Sequence, residues 1–290
     1  MRYYNYFPGC SSSEGFGKAY GRSALAVTKA LDTELIEIED WNCCGSTPYS
    51  SEDELASLCL SARNLALAEK RGFDLVTPCS SCYVNLKRTN TYLKQYPEMR
   101  AKVDECLAAG KLVYHGTVKV RHLLDVLAND VDYEAIKAKV TKPLNGLKVA
   151  AYYGCQIVRP TPGFDHPELP ESLDKLIVSL GGEATPFPLK SRCCGGSLII
   201  SEEGVALDLM KKLFDSAASN GAECLVTVCP LCQFNLDAYE SRVNKKLKTN
   251  FNLPVLFFTQ LMGVAFGLSE PDLGLKTCIV PAEKVLAKFR

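Results

Sequence analysis

Two hydrophobic periods alternate along this chain. Short runs rich in Val, Ile and Tyr are followed by longer segments whose apolar residues recur every three or four positions. That order predicts an α/β fold with a mainly parallel sheet. Residues 2–7 read as a first strand ending at Pro8-Gly9-Cys10, 18–31 as a helix, and Leu35, Ile36 and Ile38 as a second strand running towards Cys43-Cys44-Gly45. Residues 52–71 have helical spacing, with Leu55, Leu58, Ala62, Leu65 and Ala66 on one face, and Gly72 stops the helix. A strand over 74–78 delivers Cys79 and Cys82, and a helix then runs to about Tyr96, where Pro97 ends it. Residues 111–114 and 118–120 form a fourth strand region, with a helix over 121–127.

The pattern then restarts. Residues 129–146 are the most polar stretch near the middle, so the domain boundary is placed there, giving domains 1–143 and 144–290. In the second domain 148–153 is a strand ending at Gly154-Cys155, 159–170 a proline-rich loop, and 171–180 a helix. A strand-like run over 184–189 precedes Cys193-Cys194-Gly195, 202–220 is helical, and 224–228 leads to Cys229 and Cys232. Residues 255–258, with their helix, mirror the fourth strand of the first domain.

The restart is a duplication. LVTPCSSCYVNL at 75–86 returns 150 positions later as LVTVCPLCQFNL, with seven of twelve positions identical. Each half carries a single Cys, then Cys-Cys-Gly after 32 or 37 intervening residues. Each then has Cys-x-x-Cys after a further 34 residues, counted from the second cysteine of the pair. Five matched cysteines, their flanking strands and one identical interval mark an internal repeat.

Composition narrows the chemistry. Hydrophobic residues make up 47% and charged residues 23%, and Lys+Arg and Asp+Glu balance at 33 each, so no bulk field favours nucleic acid or anionic lipid. The amino terminus lacks a secretory signal pattern, and the longest apolar stretch, 253–268, is broken by Pro254, Thr259, Gln260 and two glycines. It is expected to be a strand turning into a buried helix, in a cytoplasmic protein that does not span a membrane. Fourteen cysteines in a chain of this size favour metal or redox chemistry over a disulfide scaffold. No Ser/His/Asp set or paired-carboxylate signature stands out, which disfavours hydrolysis.

In each half the cysteines follow the carboxyl ends of three expected strands, which lie along one edge of a parallel sheet. Gathered thiolates select zinc or iron–sulfur clusters. Either would need four ligands, and here five thiols converge, two of them adjacent in the chain. Neighbouring cysteines chelate one small ion poorly and grip different irons of one cluster more readily. Gly45 and Gly195 are expected to allow a close backbone approach or a positive φ. A pair of four-cysteine zinc sites, each with a spare thiol, is the alternative.

The motif Cys10…Cys43-Cys44-Gly45…Cys79-x-x-Cys82, repeated as Cys155…Cys193-Cys194-Gly195…Cys229-x-x-Cys232, resembles the tandem CCG-domain family. The length of the chain and the lack of other modules are similar to those of the heterodisulfide reductase B-subunit members of that family. The resemblance implies two similar Rossmann-like domains and two noncubane [4Fe–4S] clusters, one per domain. Their ligands would be Cys10, Cys43, Cys44, Cys79 and Cys82, then Cys155, Cys193, Cys194, Cys229 and Cys232. It further implies a disulfide substrate, such as CoM-S-S-CoB, cleaved or formed between the clusters. The implied partners are a ferredoxin-like subunit and a flavin-containing subunit, and the resemblance leaves room for a cubane cluster or zinc in one half. The rival from the same family is a CCG-type electron-transfer subunit of a flavin dehydrogenase or a sulfur-metabolism complex.

Several further residues carry expectations. Lys190 and Arg192 precede the second Cys-Cys pair; they are read as solvated loop charges, with anchoring of an anionic thiol substrate as the alternative. Gly15, Gly17 and Gly21 miss the dinucleotide fingerprint by one position and read as a plain strand-to-helix turn. His115, His122 and His166 lack metal spacing; His122 aligns with Gln260 in the repeat and is assigned to packing or hydrogen bonding. Cys59, Cys106, Cys224 and Cys278 fall outside the pattern and read mostly as buried small apolar residues.

Overall fold

The computed structural model describes residues 1–46, 48–159 and 163–289; residues 160–162 of the expected proline-rich loop lie outside the described residues. The first half runs β1 (Arg2–Tyr6), α1 (Gly9–Ser13), α2 (Lys18–Ala30), β2 (Thr33–Glu37), α3 (Pro48–Glu52), α4 (Glu54–Glu69) and β3 (Leu75–Thr77). It continues through α5 (Ser80–Gln95), α6 (Pro97–Ala109), β4 (Val120–His122) and α7 (Leu123–Val126), which passes into a π-helical turn, and then α8 (Tyr133–Ala138). The second half runs β5 (Lys148–Tyr152), α9 (Ser172–Ser179), β6 (Glu183–Ala184), α10 (Glu203–Ser219), β7 (Cys224–Thr227), α11 (Pro230–Leu247), β8 (Val255–Phe257) and α12 (Phe258–Phe266).

Among the described residues these strands make two four-stranded sheets, ordered β2-β1-β3-β4 and β6-β5-β7-β8. Every neighbouring pair is parallel. The duplicated α/β architecture is therefore present with one topology in both halves. Parallel strands need helices on both faces, so their residues are buried on both sides. β3 and β7 are buried throughout, as their continuous apolar runs imply. Asn5 is the polar exception in β1: its side-chain amide donates to Ala68 and Phe73 carbonyls at 2.9 Å and ties the end of α4 to the sheet.

The apolar interior has three parts. One cluster lies wholly between Phe7 and Val120, and a second between Ala150 and Val255. A third draws on both halves, from Tyr4 to Phe289. α2 of the first half is its centre. It turns Tyr20, Ala24 and Val27 inward at helical spacing. The Tyr20 ring stacks on Phe257 at 4.3 Å and 6° and meets Phe258 edge-on, while the Ser23 and Thr259 hydroxyls hydrogen-bond at 2.6 Å. The polar stretch 129–146 also contributes, since Val131, Ile136 and Leu144 are buried in the shared cluster. A division at 143/144, which we propose, leaves each sheet whole.

Some expectations need correction. Residues 111–114 form no strand: the Tyr114 carbonyl accepts from Arg100, and the His115 and Thr117 amides donate to the Glu69 carboxylate. Side chains there satisfy backbone groups that a neighbouring strand would otherwise take. Pro97 begins α6 as well as ending α5, because a missing N–H costs nothing in a first helical turn. β6 stops at Ala184, since Pro186 and Pro188 remove ladder donors from the rest of the run. Cys224 is buried as expected, but Cys59 and Cys278 are half-buried and Cys106 is exposed.

Tyr20→Ala removes the ring that joins the halves, and a buried aromatic truncation of this kind costs about 3–5 kcal/mol. Urea unfolding should show a loss of that size, against only about 1 kcal/mol for Tyr20→Phe, which deletes one hydrogen bond.

Candidate metal centre

The fold gathers the ten cysteines by one rule. β1 runs into α1 and Cys10, β2 into the loop bearing Cys43 and Cys44, and β3 into Cys79, which caps α5 with Cys82 in the first turn. β5, β6 and β7 do the same for Cys155, for Cys193 and Cys194, and for Cys229 with Cys232 at the start of α11. All lie beyond carboxyl ends of adjacent parallel strands, where such sheets bind ligands.

Within each half the thiols form a continuous string of contacts. Cys10 meets Cys43, Cys43 meets Cys44, Cys44 meets Cys82, and Cys82 meets Cys79. The second string runs Cys155, Cys193, Cys194, Cys232, Cys229 in the matching order, with the Cys194 and Cys232 sulfurs 3.6 Å apart. Both strings run from the surface inward. Cys10, Cys43 and Cys193 are exposed and Cys155 half-buried, while Cys44, Cys79, Cys82, Cys194, Cys229 and Cys232 are buried.

Crowded sulfurs cannot all ionise, and the strings show it. Thiols of Cys155 and Cys194 donate to Cys193 and hold it at about 2, helped by the Gly195 amide and opposed by burial. Its donor Cys194 is pushed up to about 12 by that same bond. In the first half, donation from Cys43 and Cys82 holds Cys44 well below the usual thiol range, and Cys82 rises well above it. At the start of α11, Cys232 and the backbone N–H groups of Cys232 and Leu231 favour the Cys229 thiolate, as a helix N-terminus does.

Glycines and short polar side chains set the geometry. A Cβ on Gly9 would stand 2.9 Å from the Cys82 sulfur, and one on Gly154 would stand 3.0 Å from Cys232. The Cys-Cys-Gly glycines do have positive φ, 74° at Gly45 and 76° at Gly195, but their close approaches are to the Ser57 carbonyl and to Ala206. They pack these loops against α4 and α10. Each Cys-Cys loop is also tied to the helix after the Cys-x-x-Cys: Asn85 donates to the Cys44 carbonyl and Asn235 to that of Cys194. Neither asparagine was singled out from the sequence, although both are identical positions of the repeated segment.

The two buried string ends face one junction. The Tyr20 hydroxyl and Ser80 Oγ donate to the Val228 carbonyl at 3.3 and 3.2 Å. The Ser80 hydroxyl also lies near enough to favour the Cys229 thiolate, and Tyr20 feels the charge of both Cys229 and Cys79. His122 is fully buried beside them, edge-on to Tyr83. Its Nδ1 accepts from the Leu124 amide at 3.1 Å, which leaves the proton on Nε2, a buried atom without a hydrogen-bond partner among the described residues; burial pushes its pKa down to about 4. The hydrogen-bonding role expected of His122 is present, but its counterpart is not Gln260. Thr77 pairs with His122 as Thr227 pairs with Phe257. Tyr20 and Ser80 have no equivalents in the repeat, so periodicity carried no signal for them.

The other candidates are placed elsewhere. Lys190 is neither a solvated charge nor free to bind an anion: it pairs with Asp174 at 2.9 Å and lies over the Tyr153 ring. Arg192 is exposed. The His115 amide binds Glu69, and His166 Nδ1 accepts two amides of its own turn. The glycine turn at 15–21 is a packing device, with Gly17 against Ser11 and Pro230 and Gly21 against Ser12.

Five soft thiol donors per half, in mutual contact and holding protons where cations would sit, fit a polynuclear iron–sulfur cluster. Among the described residues no three His, Cys, Asp or Glu side chains close on the position of a single metal ion.

Comparison with known proteins gives the same pattern. The cysteine-rich CCG domain matches twice, over residues 4–87 and 149–237. A relative in Methanosarcina acetivorans, the B subunit of the ferredoxin/F(420)H(2)-dependent CoB-CoM heterodisulfide reductase, is 31% identical over 98% of this chain and 95% of its own. The chain belongs to the CCG family, as a member of the heterodisulfide reductase B-subunit type. The 8-methylmenaquinol:fumarate reductase membrane anchor subunit of Wolinella succinogenes is 38% identical, over 97% of this chain and 98% of its own. Among solved structures, a hypothetical protein from Helicobacter pylori shares the fold, with a TM-score of 0.75 and 20% identity over 96% of this chain. This chain spans 52% of that protein's length.

Gly154→Ala drives a methyl group into Cys232, whereas Gly146→Ala imposes a similar positive-φ strain (φ 77°) with nothing within 4 Å. With one metal site per half, as proposed below, metal analysis should find about half the wild-type metal per chain in Gly154→Ala, and full metal in Gly146→Ala. Equal metal in the two variants would contradict the crowding argument.

Proposed function

We propose that the chain is the iron–sulfur catalytic subunit of a heterodisulfide reductase-like complex, cleaving or forming a thiol disulfide by one-electron steps at two noncubane [4Fe–4S] clusters. The observation that carries this reading is the matched pair of five-thiol strings converging on one junction. Cys10, Cys43, Cys44, Cys79 and Cys82 hold one cluster, and Cys155, Cys193, Cys194, Cys229 and Cys232 the other. When bound, the clusters supply one electron each for the two that scission of an S–S bond consumes.

The remaining residues position and insulate. Ser80 and Tyr20 fix the Val228 carbonyl, and with it the second Cys-x-x-Cys turn, against the first. His122 holds the start of α7 under both turns and keeps water from the buried ends. Asn85 and Asn235 keep the Cys-Cys loops at a fixed distance from the helices that carry Cys82 and Cys232.

The Methanosarcina relative is named for the CoB-CoM heterodisulfide, and a disulfide of anionic thiols suits the charge on α5. Two adjoining cavities of about 410 and 430 Å³ share Lys87 and Thr91. Lys94, Lys119 and Arg159 add positive charge to their walls, as does Arg88, which pairs with Glu54 at 3.7 Å, and Tyr83, the chain neighbour of Cys82, lines the second. The acid on the wall, Asp125, is bound to Arg121. Electrons would reach the chain from a ferredoxin-like partner and a flavin-containing partner.

The likeness to the Wolinella anchor subunit favours a second reading, an electron-transfer subunit of a membrane-associated reductase. Among the described residues no helix is long and apolar enough to cross a membrane.

Turnover separates the two. With reduced viologen as donor, the holoprotein should reduce a small anionic disulfide, and Cys79→Ser and Cys229→Ser should each lower the rate at least 100-fold, because neither single site supplies both electrons. Full activity in Cys79→Ser would end the paired-electron scheme. Rapid cluster reduction with no disulfide turnover would favour the electron-transfer reading.

A further inference from the structure

Two cysteines outside the repeat meet at the surface of the first half. Cys59 lies on α4 and Cys106 on α6; the first is half-buried and the second exposed, and Cys106 is near enough to help raise the Cys59 thiol. The two helices pack side by side, with Leu58, Ala62, Val103 and Leu107 in one core cluster. α4 is also the clamp of the first Cys-Cys loop. Ser57 Oγ donates to the Gly45 carbonyl at 2.9 Å and Ser61 Oγ to the Cys44 carbonyl at 2.6 Å. Asn64 exchanges two hydrogen bonds with the Asn42 backbone, at 3.0 and 2.9 Å. Cys59 therefore sits between the two serines that hold the loop.

We propose that Cys59 and Cys106 form a reversible disulfide, a redox modification site separate from the cluster cysteines. The oxidant is a low-molecular-weight disulfide, RSSR. The exposed Cys106 thiolate attacks one sulfur of RSSR, breaking its S–S bond and releasing one RSH after protonation. Cys59 then attacks the Cys106 sulfur of the mixed disulfide, releasing the second RSH and closing the protein disulfide. Two protein thiols are oxidised, one RSSR is reduced to two RSH, and both protons pass to the departing thiols. Cys59 reacts second: burial and the Cys106 sulfur hold its thiol up at about 12, and capping Cys106 in the mixed disulfide removes that neighbour's charge, which favours the Cys59 thiolate that attacks. The bond ties the loop-holding helix α4 to α6, which restrains the fluctuation that would free the Cys43–Cys44 loop.

The test uses the holoprotein without an electron donor, treated with oxidised glutathione and mapped by peptide mass spectrometry. Wild type should yield a cross-linked Cys59–Cys106 peptide lacking two hydrogens. Cys59→Ser should instead accumulate one glutathionyl group on Cys106, and Cys106→Ser should show neither product. The oxidised wild type should also release iron to a chelator at least twofold more slowly than the reduced protein, and the two variants should show no such difference. A stable glutathionyl group on Cys106 in wild type, or an unmodified Cys106 in both proteins, would overturn the proposal. The peptide readout does not depend on disulfide-reductase activity, so failure of that activity leaves this site to be judged by itself.

Discussion

Negative charge on closely packed sulfur is what the whole architecture has to accommodate. Two thiolates 3.6 Å apart, the spacing of Cys194 and Cys232, repel by roughly 5 kcal/mol at an effective dielectric near 20. A few such pairs would cancel the 5–15 kcal/mol by which a domain is typically stable. The strings avoid this by alternation, Cys193 held low between Cys155 and Cys194, and Cys44 held low between Cys43 and Cys82. Protons supply the neutralising charge in that arrangement. Metal ions displace such protons when they bind thiols, so the same geometry has a stable charged form only with cations present. The glycine cradles and asparagine ties then have a common purpose, which is to keep sulfurs together despite their repulsion.

Duplication explains much of the layout but not the junction. The sheets, the strings and the Asn85 and Asn235 ties obey the repeat. Tyr20, Ser80 and His122 do not, and the place of His122 is taken in the second half by Phe257, on which Tyr20 stacks. Two equivalent halves thus meet through unequal surfaces. Tyr20 belongs to the first half, yet its ring and hydroxyl are anchored on the second, at Phe257 and Val228. The unequal contact fixes which cysteine ends face each other, a matter that symmetry alone leaves open.

How legible this was from sequence depends on the scale of the interaction. Strand and helix order followed from hydrophobic period, because burial on both faces of a parallel sheet leaves continuous apolar runs such as Leu75–Thr77. The convergence of the cysteines followed from their position after strands. Where local hydrogen bonding overrode period, the reading failed, as where Glu69 and Arg100 take the backbone groups near Tyr114. Lys190 failed for a related reason, since its partner Asp174 is distant in sequence and only the fold brings it to 2.9 Å. The Cys59–Cys106 contact likewise depends on two helices whose adjacency no spacing rule gives.

Counting iron and acid-labile sulfide per chain, after purification without oxygen, tests the central claim that each sulfur string holds a polynuclear cluster. Two such clusters correspond to about eight irons with an equal amount of sulfide. A colourless chain that carries only zinc would contradict it.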